Sequence, residues 1–217
     1  MNARRYDVRP SKVSFRYAYY SGIPIKRVEM AWSHPYFAYV FPTNGGLACM
    51  VGVTPDTDFA EYAAGGEQAL QGIFDATSPR LAEALRGGKR ESKFYSYRGR
   101  LGGFTDPHGP GWALVGDAAY FKDPVTGQGI SDAFAGAQLL ADAVIAGFSN
   151  PAAMPEAMAQ YQSRRDELFS DAFAATQRLA SLDWTDEDLP AIHGSYAPSP
   201  DKIARVLGFT PVSRVRA

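Results

Sequence analysis

Residues 116–129 read GDAAYFKDPVTGQG, and the reading of this run decides the fold. The apolar residues 112–115 before it suit a short strand, and a helical period begins at Ile130. The order is therefore a strand, a carboxylate at the strand's end (Asp117), a loop with Pro124, the glycines Gly127 and Gly129, and a helix start. Free amides and the macrodipole at a helix N-terminus favour partial negative charge, and glycine lets a ligand approach the backbone. A carboxylate such as Asp117 can accept hydrogen bonds from sugar-type hydroxyls. Spacing alone also describes an ordinary strand–loop–helix connection.

Downstream, Ile130, Phe134, Ala137, Ala141, Val144 and Ile145 keep the spacing of one helical face. Asn150 and Pro151 suit the cap and first position of a second long helix, with Met158, Tyr161, Leu168, Phe169 and Leu179 as its stripe. A short helix is expected near residues 202–207. Upstream, Val13, Phe15, Tyr17 and Tyr19 alternate as in a half-buried strand. Residues 36–54 read as a hairpin turning at Gly45-Gly46, residues 59–86 as helix broken at Ser78-Pro79, and residues 93–101 as strand again. The aromatics Tyr17, Tyr39, Tyr95 and Tyr97 are candidates for lining a substrate pocket, although period-two aromatics also serve as sheet core. Arg98 and Arg100 could meet an anion or stand as solvated edge charges.

The 217 residues are 46% hydrophobic and 21% charged with a formal net charge of -1, so the chain can bury a sizeable core and offers no field for nucleic acid or an anionic membrane. Its one cysteine, Cys49, permits no internal disulfide and reads as a small buried hydrophobe. His34, His108 and His193 lack ligand spacing, so no metal is expected. Residues 1–10 hold no apolar signal core, and no uninterrupted apolar run approaches the roughly 18 residues of a bilayer span. The expectation is a soluble cytoplasmic protein.

The string VGDAAYFKDPVTGQGISDAFAGAQLLADAV, residues 115–144, resembles the second flavin-contacting motif of FAD-dependent monooxygenases related to aromatic hydroxylases, geranylgeranyl-type reductases and flavin halogenases. Tyr120 stands where many hydroxylases have histidine and Ser131 where they often have asparagine. The form FKDP is closer to the reductase and halogenase branches, yet Trp32, Trp112 and Trp184 stand apart and supply no Trp-x-Trp element of halogenases. The resemblance implies that Gly116 and Asp117 meet the ribityl chain of FAD and that Pro124 lies along the flavin ring. It places Gly127, Gln128, Gly129 and Ile130 near the pyrimidine end and the phosphates.

The fold class so implied is mixed α/β (α+β), a partial FAD/NAD(P)-binding Rossmann-like domain with a β-sheet substrate domain and C-terminal helices. Residues 1–105 would form the substrate sheet with inserted helices, 106–182 the later part of the FAD-binding domain, and 183–217 a tail. The family's opening GxGxxG segment does not occur in this sequence, so the resemblance covers the later half to two-thirds of such an enzyme, and a partner polypeptide could supply the ADP-binding part. The activity implied is oxidation of an apolar or aromatic small molecule with FAD reduced by NAD(P)H. A double-bond reductase, or a split half serving as a non-catalytic binding scaffold, are the alternatives.

Overall fold

A computed structural model describes residues 3–196 and 199–209. They fall into two compact units that are not consecutive segments. The first holds Lys12–Gly99 and Ser181–Asp186; the second holds the described residues of Met1–Ser11, Arg100–Ala180 and Glu187–Ala217.

After β1 (Arg5–Arg9), which belongs to the second unit, the chain enters the sheet of the first with β2 (Val13–Ser21), β3 (Glu29–Ser33), β4 (Tyr36–Pro42) and β5 (Ala48–Pro55). The expected hairpin is β4–β5: the Thr43 amide donates to the Leu47 carbonyl at 2.8 Å, and Gly45 and Gly46 take φ of 65° and 72°. That left-handed backbone is why glycine stands at the turn. The helical stretch becomes α1 (Phe59–Ala64), α2 (Gly66–Thr77) and α3 (Pro79–Gly87), with the Ser78 side chain accepting from the Leu81 amide and Pro79 opening α3. Two short strands, β6 (Lys89–Arg90) and β7 (Tyr95–Arg98), both pair with β2 and complete an antiparallel sheet running β3-β4-β5-β2.

One face of this sheet is covered by helices. Ala18, Val40 and Met50 pack with Leu70, Ile73 and Phe74 of α2. A Cβ on Gly52 would stand 2.9 Å from Leu70 Cδ1, so the absence of a side chain lets α2 sit this close. The opposite face follows the odd register: Tyr17 lies across from Val51 and Tyr95, and Val51 across from Tyr39.

In the second unit β1 pairs with β8 (Gly102–Thr105), β9 (His108–Gly109) pairs with β10 (Trp112–Ala113), and β11 (Tyr120–Phe121) closes a three-stranded sheet on β8. The helices α4 (Gly129–Ser149), α5 (Met154–Ala180), α6 (Leu189–Tyr196) and α7 (Ser199–Val206) follow. Phe104, Tyr120, Leu139, Tyr161, Phe169 and Phe173 form the core between the small sheet and the α4–α5 pair. The Tyr120 and Phe169 rings stack at 4.8 Å.

The architecture is mixed α/β. Every strand pair among the described residues is antiparallel, and the strands flanking the 116–129 loop are only two residues long. The chain therefore reaches that loop by tight reversals and not by a long crossover. Residues 1–11 lie with the second unit because β1 pairs with β8, although the sequence placed 1–105 together. Residues 183–217 are likewise divided: Trp184 packs on Phe37 in the first unit, while α6 and α7 belong to the second.

Among the described residues α4 is long and apolar enough to cross a membrane by length and composition. The sequence reading missed this because Asp132 and Asp142 interrupt its apolar runs.

Candidate functional site

The loop before α4 is shaped by four local choices. Gly116 and Gly127 adopt φ of 60° and 65°, a region costly for residues with a Cβ. Asp123 begins the turn Pro124–Thr126, its Oδ1 accepting the Val125 amide at 2.9 Å. Pro124 needs no amide partner there. The Gly127 amide then donates to the Pro124 carbonyl at 2.8 Å.

Gln128 precedes the first turn of α4 but does not cap it with its side chain. Its Oε1 instead accepts from Lys122 Nζ at 2.8 Å. The same ammonium lies 2.6 Å from Asp132 Oδ2, and both side chains are almost wholly buried. Burial pushes the Lys122 ammonium down and the Asp132 carboxyl up, each opposed by the charge of the other. The leading amides of α4 thus keep their donor capacity, while the pair ties the loop to the helix's first turn.

A small cleft opens here, with Gly116, Asp117, Gly129 and Ala133 at its sides and Tyr161 and Arg165 deeper in. Asp117 is exposed. A Cβ on Gly129 would meet nothing within 4 Å, and one on Gly116 would approach only Ala133 Cβ at 3.5 Å, so the backbone faces open space. Of the residues singled out by sequence, Gly116, Asp117 and Gly129 line this cleft together, and Pro124, Gly127 and Gln128 form the loop running into it. Ile130 is 77% exposed on the outer side of α4.

The four tyrosines belong to the first unit and share the sheet face opposite α2. Tyr17 and Tyr95 stack at 5.4 Å, and Tyr97 meets Phe15 edge-on at 5.7 Å. Tyr39 is buried between Phe37 and Phe41. Arg98 makes a two-pronged contact with Asp56 at 2.7 and 2.9 Å, so its charge is already matched. Burial pushes the Cys49 thiol up to about 11, which keeps it a neutral thiol near pH 7.

Sequence reasoning missed Arg165, a fully buried side chain at the base of the cleft. Its guanidinium donates to the Thr105 and Ala119 carbonyls at 3.0 and 2.9 Å, to Tyr6 Oη at 2.6 Å and to Asp166 at 2.8 Å. The signal was present: Arg165 falls midway between Tyr161 and Phe169 on the apolar stripe of α5. The Lys122–Asp132 pair, ten residues apart across a loop, gave no periodic signal.

With this geometry in place, comparison with known proteins becomes informative. No protein-family model and no curated protein sequence matches the chain. Solved structures do. The flavin-dependent brominase Bmp2 matches with a TM-score of 0.64 at 17% identity, over 94% of this chain and 52% of its own. The fold is that of FAD-dependent monooxygenases and halogenases. The myxobacterial chondrochloren halogenase CndH gives a TM-score of 0.66 at 17% identity, covering 96% of this chain and 52% of that one. The p-nitrophenol 4-monooxygenase PnpA from Pseudomonas putida DLL-E4 gives 0.63 at 18%, covering 96% and 55%. This chain spans about half the length of the structures it matches.

Proposed function

We propose that the chain holds flavin in an FAD-dependent oxidoreductase of monooxygenase type, acting on an apolar or aromatic small molecule with NAD(P)H as electron source. The observation that carries this reading is the open glycine cradle at the start of α4, with Asp117 beside it and no side-chain cap on the helix. Those features suit a ligand that is both hydroxylated and partly anionic. Its occurrence on a fold shared with flavin-dependent enzymes makes FAD the ligand of choice.

In this reading Asp117 accepts from the ribityl hydroxyls. The amides of Gly129 and Ile130 face the electron-rich edge of the ring, and the Pro124–Gly127 turn lies along it. Bound flavin supplies electron transfer to oxygen or to another acceptor. The protein supplies position and charge: the α4 dipole favours negative charge at its mouth. Lys122, tied to both Gln128 and Asp132, holds the loop against the helix so that these amides stay aimed. The face bearing Tyr17, Tyr39, Tyr95 and Tyr97 offers an aromatic wall of the kind an apolar substrate needs.

A second reading follows from the half-length match: a flavoprotein half that binds without turning over, completed by another polypeptide, with double-bond reduction as the alternative chemistry. Incubation with FAD followed by desalting separates these. Retained yellow flavin with quenched fluorescence, and its bleaching by NAD(P)H under argon, supports the enzyme. Flavin retained but never reduced supports the binding half. A colourless protein overturns flavin binding by this chain.

A further inference from the structure

Helix α4 is apolar on two opposite faces. Ala135, Leu139 and Ala143 are buried in the second unit's core. On the other side Ile130, Phe134, Ile145 and Phe148 are 77%, 63%, 65% and 75% exposed, with Ala137 and Ala141 exposed between them. At 3.6 residues per turn these six fall within a sector of about 80°, on a line about 27 Å long. An unbroken apolar stripe of that length is a surface built to be covered.

The order of residues along the stripe reads nearly the same in both directions. Ile130 and Phe148 stand at the ends, Phe134 and Ile145 next, and Ala137 and Ala141 in the middle. The flanking polar positions mirror as well: Ser131 with Ser149, and Gln138 with Asp142. An antiparallel copy of the helix, turned about a two-fold axis near Leu139, would set Ile130 against Phe148, Phe134 against Ile145, and alanine against alanine at the crossing. Small residues there allow close approach while the bulky ones interdigitate at both ends. Asp142 would face an amide, Gln138, and not a second carboxylate; within one chain Gln138 Nε2 already donates to Asp142 Oδ1 at 2.8 Å.

We propose that this face is an isologous interface between two copies of the chain, formed by antiparallel α4 helices. The self-complementary spacing selects this occupant. A lipid surface suits the stripe less well, because α4 carries no lysine or arginine to meet headgroups and places Asp142 at its margin. The proposal stands apart from the flavin reading, since none of the cleft residues other than Ile130 lies on the stripe.

The test is sedimentation equilibrium on the whole chain at about 1 to 100 μM, beside Phe134→Lys and Ile145→Lys. Both positions are exposed, so circular dichroism and melting temperature should hold or rise. The expected result is reversible dimer for the parent and at least a tenfold weaker association for each variant. In a Cys49→Ser background, Ala137→Cys with Ala141→Cys should give a disulfide-linked dimer under mild oxidation. A parent that is monomeric throughout, or a dimer untouched by both lysines, overturns the proposal. So does flotation of the parent on phosphatidylcholine vesicles in place of self-association. So does a parent that stays monomeric yet forms a stoichiometric complex with a co-expressed polypeptide carrying the remaining half of the fold.

Discussion

Lys122 Nζ lies 2.6 Å from Asp132 Oδ2, with the two side chains 3% and 4% exposed. One residue belongs to the loop and the other to the first turn of α4, so the pair fixes the spacing between them. Removing one partner strands the other charge out of water. Lys122→Met or Asp132→Leu is expected to cost about 3–5 kcal/mol. The double variant should recover much of that loss. Urea unfolding of the three variants checks this, and double-variant stability equal to the sum of the single losses would contradict it.

Asp123 gives the loop a pH dependence. Burial pushes its carboxyl up to about 6, above its ordinary 3.8. The folded state therefore holds the proton more tightly than the unfolded one between these values. Stability from this group is fully present below about pH 4 and is lost as pH rises through 6, by roughly 2–3 kcal/mol. Asn at this position can still accept the Val125 amide, so Asp123→Asn should flatten the difference. Melting temperatures of parent and variant from pH 4 to 8 are expected to diverge above pH 5, with the variant higher.

The turn's geometry makes Gly127 sensitive. With φ at 65°, Gly127→Ala places a Cβ in the left-handed region at a cost of about 1–2 kcal/mol. Gly129→Ala meets no neighbour within 4 Å and has no positive φ, so its stability should hardly change. Thermal unfolding separates the two.

Arg165 joins β1, β8 and α5 through Tyr6, Thr105 and Asp166. Arg165→Met fills the space but leaves the Thr105 and Ala119 carbonyls without this donor. A loss on the order of 3 kcal/mol or more is expected from the stranded acceptors and Asp166. Hydrogen exchange should show it first in β8 and β11.

The sheet of the first unit was legible because each signal was local: alternation in β2, glycines at the β4–β5 turn, Ser78-Pro79 between two helices. The helix after Gly129 was equally plain, but which of its faces meets the core was not. Ile130, Phe134 and Ile145 form the stronger stripe, yet the smaller Ala135, Gly136 and Ala143 are buried, because α5 approaches closely only over small residues. The short strands β8 to β11 carry too few residues to show a period, and α6 was missed because Leu189 and Ile192 are too sparse a pattern. At the cleft, glycines and Asp117 stood out by type. Lys122, Asp132 and Arg165 did not, since a buried charge is recognised by the partner the fold brings to it.

The central claim is that the 116–129 loop holds flavin, and an equilibrium titration with FAD, read by fluorescence quenching, tests it most directly. The parent chain should bind saturably. Asp117→Ala, which removes an exposed carboxylate without disturbing the fold, should weaken binding by roughly 5- to 100-fold, the loss of a charged acceptor worth about 1–3 kcal/mol. Unquenched FAD, or an affinity identical in the parent and Asp117→Ala, would contradict the account.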